Sequence, residues 1–364
     1  MSKIVSIATN VSQYRHDQND ICLFADKIYN NNAVDSRKYR FMYNRSGIQT
    51  RYSVIPDYHS SIEEREFFPK TKDLEPFPDM DMKMKCFAEH AAPLSIKTIE
   101  DCIAGKITKN EITHLITVSC TGISAPGLDL DIMEKMNLPG NIFRTSVNFM
   151  GCYAAIHALK MANALCMSSQ QANVLIVCTE LCTLHFQKEN TMDNITSTIL
   201  FGDGCAAVLV QKNESAQKGV RLDNFFSHVA FRGKQDMSWK LSSSGFLLTL
   251  SGYVANLVKA DFNEIVLKAL QESNLTKEDI THWCIHPGGK KILEAIDKGV
   301  GLAPASLRYS YDILKNYGNM SSPTILFVLQ KIMRELFGQD KPAKIFAAAF
   351  GPGLTMETFI AAYN

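Results

Sequence analysis

The chain has 364 residues, 46% of them hydrophobic and 21% charged, an ordinary globular balance with material for one large domain or two packed halves. Its 38 basic and 37 acidic side chains leave a formal net charge of +1, so neither a nucleic-acid nor a membrane-surface footprint is expected. The opening MSKIVSIATN lacks the long apolar core of a signal peptide, and no window approaches the roughly 18 uninterrupted apolar residues of a membrane span. A cytoplasmic protein is therefore expected. The ten cysteines are scattered through a large chain, mostly within apolar segments; buried reduced thiols are expected for most of them. No Cys-x-x-Cys pair or Cys/His cluster has zinc spacing, so no metal is expected.

A short strand is predicted near Ile4 to Ala8, then helices and loops through a polar, Pro- and Tyr-containing stretch to Asp79. Apolar spacing of 3.6 residues predicts a helix from about Met82 to Ala104. Strands and helices then alternate: ITHLITVS (strand), DLDIMEKMN (helix), NIFRTSVNF (strand), YAAIHALKMANALCMSS (helix) and NVLIVCTEL (strand). That order predicts an α/β fold with a largely parallel sheet. FGDGCAAVLVQ, from Phe201, reads as a turn and a strand.

A weak internal repeat accompanies this. Thr108-Lys-Asn-Glu-Ile-Thr-His114 opens one strand and Thr276-Lys-Glu-Asp-Ile-Thr-His282 another. Nearly the same shift lays Gly151-Cys152 onto Met320-Ser321, each before an apolar helix. Phe-Gly-x-Gly occurs at Phe201 to Gly204 and again at Phe350 to Gly353. Two similar halves, 1–213 and 214–364, are expected, and a site between them would draw residues from both.

Three residues carry the candidate chemistry. Cys152 follows a β-rich run and Gly151, at the predicted start of a long apolar helix. Glycine permits the tight turn, and unpaired N–H groups with the positive end of a helix dipole favour a thiolate nucleophile; a core cysteine opening a helix would read the same way locally. His286 follows the strand Trp283-Cys-Ile285 and precedes Pro287-Gly288-Gly289, a place where a ligand can approach closely. Asn319, in Tyr317-Gly-Asn-Met-Ser-Ser322, is either a turn or cap residue or an amide donor to a developing oxyanion.

Taken in order, Cys152-Tyr-Ala-Ala, Ile285-His-Pro-Gly-Gly, Tyr317-Gly-Asn-Met-Ser-Ser and Phe350-Gly-Pro-Gly-Leu-Thr, with Leu200-Phe-Gly-Asp-Gly, resemble the type III polyketide synthases, the chalcone and stilbene synthase family. The resemblance runs from about Ile112 to the C-terminus. It implies a thiolase-like fold of two duplicated α/β halves, a homodimer, and no cofactor beyond coenzyme A thioesters as substrates. It also implies that Cys152 takes an acyl group from a starter acyl-CoA as a thioester. His286 would hold the thiolate as an ion pair. With Asn319 it would then stabilise the enolate formed when malonyl-CoA loses carbon dioxide. Phe201 matches a pocket-gate position.

Further positions enter as pocket candidates by the same resemblance. Cys120-Thr121 stand where plant members carry Thr-Ser, Leu248 stands at a second gate, and His185 stands at a small cavity-lining threonine, with Cys182 and Leu184 nearby. Ser321 and Gly353 belong to the two C-terminal motifs. Ala125 replaces a methionine that reaches across the dimer. Arg51, Lys290 and Lys291 are candidate coenzyme A contacts. The bulk of His185 predicts a shortened cavity and a short polyketide or β-keto product. Two other activities use the same three residue types: a β-ketoacyl synthase III-like condensation on an acyl carrier protein, and a Cys-His-Asn thioester hydrolase.

Overall fold

The computed structural model describes residues 1–29, 32–169 and 171–363. The first half of the chain runs β1 (Ser2–Val11), β2 (Tyr14–Asp17), α1 (Gln18–Ile28), α2 (Ala33–Arg45), β3 (Thr50–Ser53), α3 (Met80–Ile103), β4 (His114–Ser119), α4 (Leu128–Met136), β5 (Phe143–Asn148), α5 (Ala154–Ser168), β6 (Asn173–Leu181), α6 (Met192–Leu200) and β7 (Asp203–Lys212). The second runs β8 (Val220–Val229), β9 (Met237–Ser242), β10 (Gly245–Leu250), α7 (Val254–Glu272), β11 (His282–Ile285), α8 (Lys290–Val300), α9 (Arg308–Tyr317), α10 (Thr324–Gln339), β12 (Ala343–Gly351) and β13 (Thr355–Tyr363).

One mixed sheet spans both halves in the order β11-β12-β13-β8-β1-β7-β6-β4-β5. The expectation of a largely parallel sheet is corrected here: only β4–β5, β4–β6 and β11–β12 are parallel. Strand β13 returns on β12 after a short turn, which makes an antiparallel pair, and β7 also runs antiparallel to β6, although α6 lies between them in the chain. The order β4-β6-β7-β1 has the same sequence of parallel and antiparallel pairings as β11-β12-β13-β8, so the duplication is a property of the fold. The two sets meet where Ser2–Ile4 of β1 pairs with β8.

The repeated Thr-Lys segments have a physical basis. Each forms a capped 3₁₀ turn, Thr108 with Glu111 and Thr276 with Asp279, in which the side chains at both ends satisfy each other's backbone donors. Each leads into a strand that begins at His114 or His282.

The central strands are buried on both faces and therefore read as continuous apolar runs. Val174, Ile176 and Cys178 of β6 pack with α5 and α10, whereas Leu175 and Val177 pack with α3 and α4. In the second half, Trp283, Ile285, Phe346 and Ala348 face α7 and α8. Helices α5 and α10 lie in the middle layer, and their many small or fully buried residues suit that position.

Candidate active site

The C-terminal ends of β4, β5, β6, β11 and β12 open into one cavity of about 530 Å³, the end of an α/β sheet where ligands commonly bind. Cys152, His286 and Asn319 all line it.

Cys152 reaches the cavity through a strained turn. Phe149 and Gly151 both have positive φ, 57° and 86°. A Cβ on Gly151 would lie 2.3 Å from Cδ of Pro352, so only glycine fits. Helix α5 begins at Ala154, not at Cys152 as the periodicity suggested: the Ala154 amide donates to Gly151 O at 3.0 Å. This turn puts the sulfur just ahead of the helix. In the second half the Thr324 amide donates to Ser321 O at 3.2 Å before α10. Cys152 therefore matches Ser322, one residue beyond the register read from the sequence.

Asn319 is held by its backbone and its side chain. Its amide donates to Leu200 O at 2.9 Å, and its carbonyl accepts from Gly202 at 3.0 Å. Its Oδ1 accepts the Ser321 amide at 2.8 Å and lies 3.9 Å from the Cys152 sulfur. With Oδ1 so occupied, the NH₂ group is the end of the side chain left to donate; its contact with Gly288 O is long, 3.4 Å.

His286 follows β11, its amide bound to Ala348 O of β12 at 2.8 Å. The residue is 1% exposed, and neither ring nitrogen has a hydrogen-bond partner among the described residues. A buried imidazole with two free nitrogens costs stability and calls for a functional reason. Burial alone pushes the imidazole down to about 3. Burial also pushes the Cys152 thiol up to about 11, opposed in part by its contacts with Ser321 and Asn319. Either charge alone is disfavoured in this dry pocket. Transfer of the thiol proton to the imidazole would create the two charges together, where each stabilises the other.

Behind the nucleophile, Glu180 is fully buried and accepts from the Cys120 amide (2.9 Å), Thr121 Oγ1 (2.8 Å) and Ser322 Oγ (2.8 Å). It ties the wall built by the first half to the wall built by the second. Sulfur of Cys120 accepts the Gly151 amide at 3.1 Å, so Cys120 braces the nucleophile's turn as well as lining the cavity.

Phe201, Cys120, Thr121, Cys182, Leu248 and Ser321 line the same cavity. Four expected contacts are corrected. Leu184 belongs to the apolar core. His185 lies behind the wall: its Nε2 donates to Thr121 O at 2.8 Å, its Nδ1 accepts the Phe246 amide at 3.1 Å, and its ring stacks on Phe246. Gly353 is replaced at the cavity by Phe350 and Pro352, because the chain turns away after Pro352. Arg51 is buried and bonded to Gln18 and the Phe201 carbonyl, so it cannot meet a solvated coenzyme A phosphate.

Lys290 and Lys291 do stand at the cavity, joined by Arg45 from the end of α2. Phe41, 60% exposed, and Met192, 49% exposed, mark this as the mouth. The sequence reading missed Arg45, and it missed the β9–β10 hairpin that makes one wall. Register pairs Trp239 with Leu248 and Met237 with Leu250, and all four line the cavity. The Trp239 indole donates to Cys120 O at 2.8 Å. The alternation in MSWKLS and GFLLTL around Ser-Ser-Gly was the available hairpin signal.

The comparisons agree over nearly the whole chain. Sequence models described as "Chalcone and stilbene synthases", N-terminal and C-terminal domain, match residues 2–214 and 227–362. The "Alpha-pyrone synthesis polyketide synthase-like" protein Pks18 of Mycobacterium tuberculosis is 32% identical over 280 residues, 76% of this chain and 71% of that protein. A 3,5-dihydroxyphenylacetyl-CoA synthase of Amycolatopsis orientalis is 25% identical over 360 residues, 98% of this chain and 92% of that one. The crystal structure of PKS-I from the brown alga Ectocarpus siliculosus superposes with a TM-score of 0.92 at 25% identity, covering 100% of this chain and 98% of that one. The fold and these matches define a thiolase-like condensing enzyme. The chain belongs to the chalcone and stilbene synthase family, the type III polyketide synthases, which are acyltransferases. No described helix is long and apolar enough to cross a membrane, and no described group of His, Cys, Asp and Glu could hold a metal ion.

Proposed function

We propose that this enzyme joins an acyl-CoA starter to malonyl-CoA by decarboxylative Claisen condensation through a thioester on Cys152. The observation that carries the reading is the buried, unpartnered imidazole of His286 in one cavity with the Cys152 sulfur and the outward NH₂ of Asn319. The sulfur attacks the starter carbonyl, the S–CoA bond breaks, and coenzyme A leaves as its thiol with the proton held by His286. Malonyl-CoA then loses carbon dioxide; the electron pair of the broken C–C bond passes into an enolate, whose oxygen accepts hydrogen bonds from His286 and Asn319. The enolate carbon attacks the Cys152 thioester, forming the new C–C bond and releasing the sulfur.

Arg45, Lys290 and Lys291 at the mouth suit the phosphates of coenzyme A. A homodimer is part of the reading. Strand β5 ends the sheet with Phe143 71% exposed, and a bare edge strand is ordinarily covered. The two halves are taken to divide at 213/214, in the connection between β7 and β8. A short polyketide or β-keto product remains the proposal, but with a different cause: Trp239, not His185, limits the cavity.

Two measurements test this. With malonyl-CoA labelled at its free carboxylate, labelled carbon dioxide should appear in step with product extension; free acids with no labelled gas would overturn the reading. Trp239→Ala should yield products at least one malonyl-derived unit longer, seen by mass, along with a lower melting temperature, because the half-buried indole gives up its packing and its hydrogen bond to Cys120 O. An unchanged product mass would show that Trp239 sets no limit.

A further inference from the structure

We infer that Arg51 is a positioning residue for Asn319: its guanidinium and its methylene stem hold the Phe201 segment and the Gly318 turn between which the Asn319 backbone is clamped. The inference rests on the role given to Asn319 above.

Asn319 has no regular secondary structure of its own to hold it. It lies between the end of α9 and the start of α10, and its backbone bonds run to a neighbouring segment: Asn319 N to Leu200 O at 2.9 Å and Gly202 N to Asn319 O at 3.0 Å. These pair Phe201 with Asn319 as a one-residue parallel bridge. Whatever holds residues 200–202 therefore sets where the Asn319 amide sits.

Arg51 holds them. It projects from β3, is 3% exposed, and donates from Nη1 to the Phe201 carbonyl. Its Nε donates to Gln18 Oε1 at 2.9 Å, and Gln18 Nε2 donates to Ile199 O at 2.9 Å. The guanidinium thus reaches the same segment twice, once directly and once through Gln18. Its stem fills the space beside both neighbouring glycines. A Cβ on Gly318 (φ 67°) would lie 2.8 Å from Arg51 Cδ, and one on Gly202 would lie 3.4 Å from Arg51 Cβ. The residues flanking Arg51 grip the other side of the clamp: Thr50 Oγ1 donates to Asn316 O at 2.7 Å, and Tyr52 stacks on Tyr317.

A buried arginine is costly unless its contacts repay the desolvation, and a surface loop would need no such anchor. An oxyanion donor does need one, because a misplacement of about 1 Å can cost about a hundredfold in rate. Lysine could not replace it, since a single ammonium cannot span Gln18 and the Phe201 carbonyl in a fixed fork.

The test separates two half-reactions in purified Arg51→Met, Arg51→Lys and Asn319→Ala proteins, with circular dichroism to confirm folding. Malonyl-CoA decarboxylation reads the Asn319 donor; single-turnover transfer of a starter acyl group to Cys152 reads the nucleophile. Arg51→Met should slow decarboxylation about 10- to 100-fold while acylation stays within about threefold, with Arg51→Lys between Met and wild type. Should Arg51→Met not fold, Gln18→Met removes the second tie and should show the same split more weakly. Equal losses in both half-reactions, or an unchanged decarboxylation rate in a folded variant, would overturn the inference. If Asn319→Ala itself decarboxylates at the wild-type rate, it is the role of Asn319 that fails.

Discussion

Replacing Cys152 by alanine should abolish the acyl-enzyme and lower condensation by at least about a thousandfold, because the covalent step loses its nucleophile. Cys120 lines the same cavity, but its sulfur already accepts the Gly151 amide, and burial raises its thiol further from ionisation. Decarboxylation of malonyl-CoA depends instead on the donors His286 and Asn319, so it should persist in Cys152→Ala within about tenfold. The check is a parallel assay of acyl transfer and carbon dioxide release. Simultaneous loss of both would mean that the sulfur, not the donor pair, drives decarboxylation. Persistent condensation would transfer the nucleophile's role to another residue.

His286→Ala should have two effects. It removes one enolate donor, which costs about 3–4 kcal/mol, or a few hundredfold in decarboxylation. It also leaves the Cys152 thiol without an imidazolium partner, at about 11, where burial outweighs its contacts with Ser321 and Asn319. A raised thiol pKa means that thiolate is lost as pH falls below it. Inactivation of His286→Ala by iodoacetamide should therefore be slow at pH 7 and climb about tenfold per pH unit toward pH 11. The wild-type profile, with imidazolium to stabilise the thiolate, should stay high down through pH 7. Superimposed profiles would show that His286 does not ionise the nucleophile.

Much of the architecture was legible because the central strands and helices carry strong periodicity. The run Asn173–Leu181 is β6 and the predicted helix before it is α5, whereas α6, the helix after it, was not read. The Thr-Lys repeats were legible because capping chemistry is local. The direction of β7 was not, since an apolar strand looks alike whether it runs with or against its neighbour. The three candidate catalytic residues stand in turns marked by glycine, where local chemistry shows. The cavity wall was harder to read. Whether His185 or Trp239 faces the substrate depends on how a hairpin folds over the sheet ends, a contact between segments more than fifty residues apart. Arg51 misled for a related reason: an arginine in a polar stretch looks solvated until Gln18 and the Phe201 carbonyl are brought to it by the fold.

The most direct measurement is a peptide map of the enzyme after a single turnover with a starter acyl-CoA, read by mass spectrometry before and after a chase with malonyl-CoA. The peptide containing Cys152 alone should gain the acyl mass. That mass should leave on the chase as a product extended by two carbons per carbon dioxide released. Acyl mass on the peptide containing Cys120, or acylated Cys152 that yields only free acid on the chase, would contradict this.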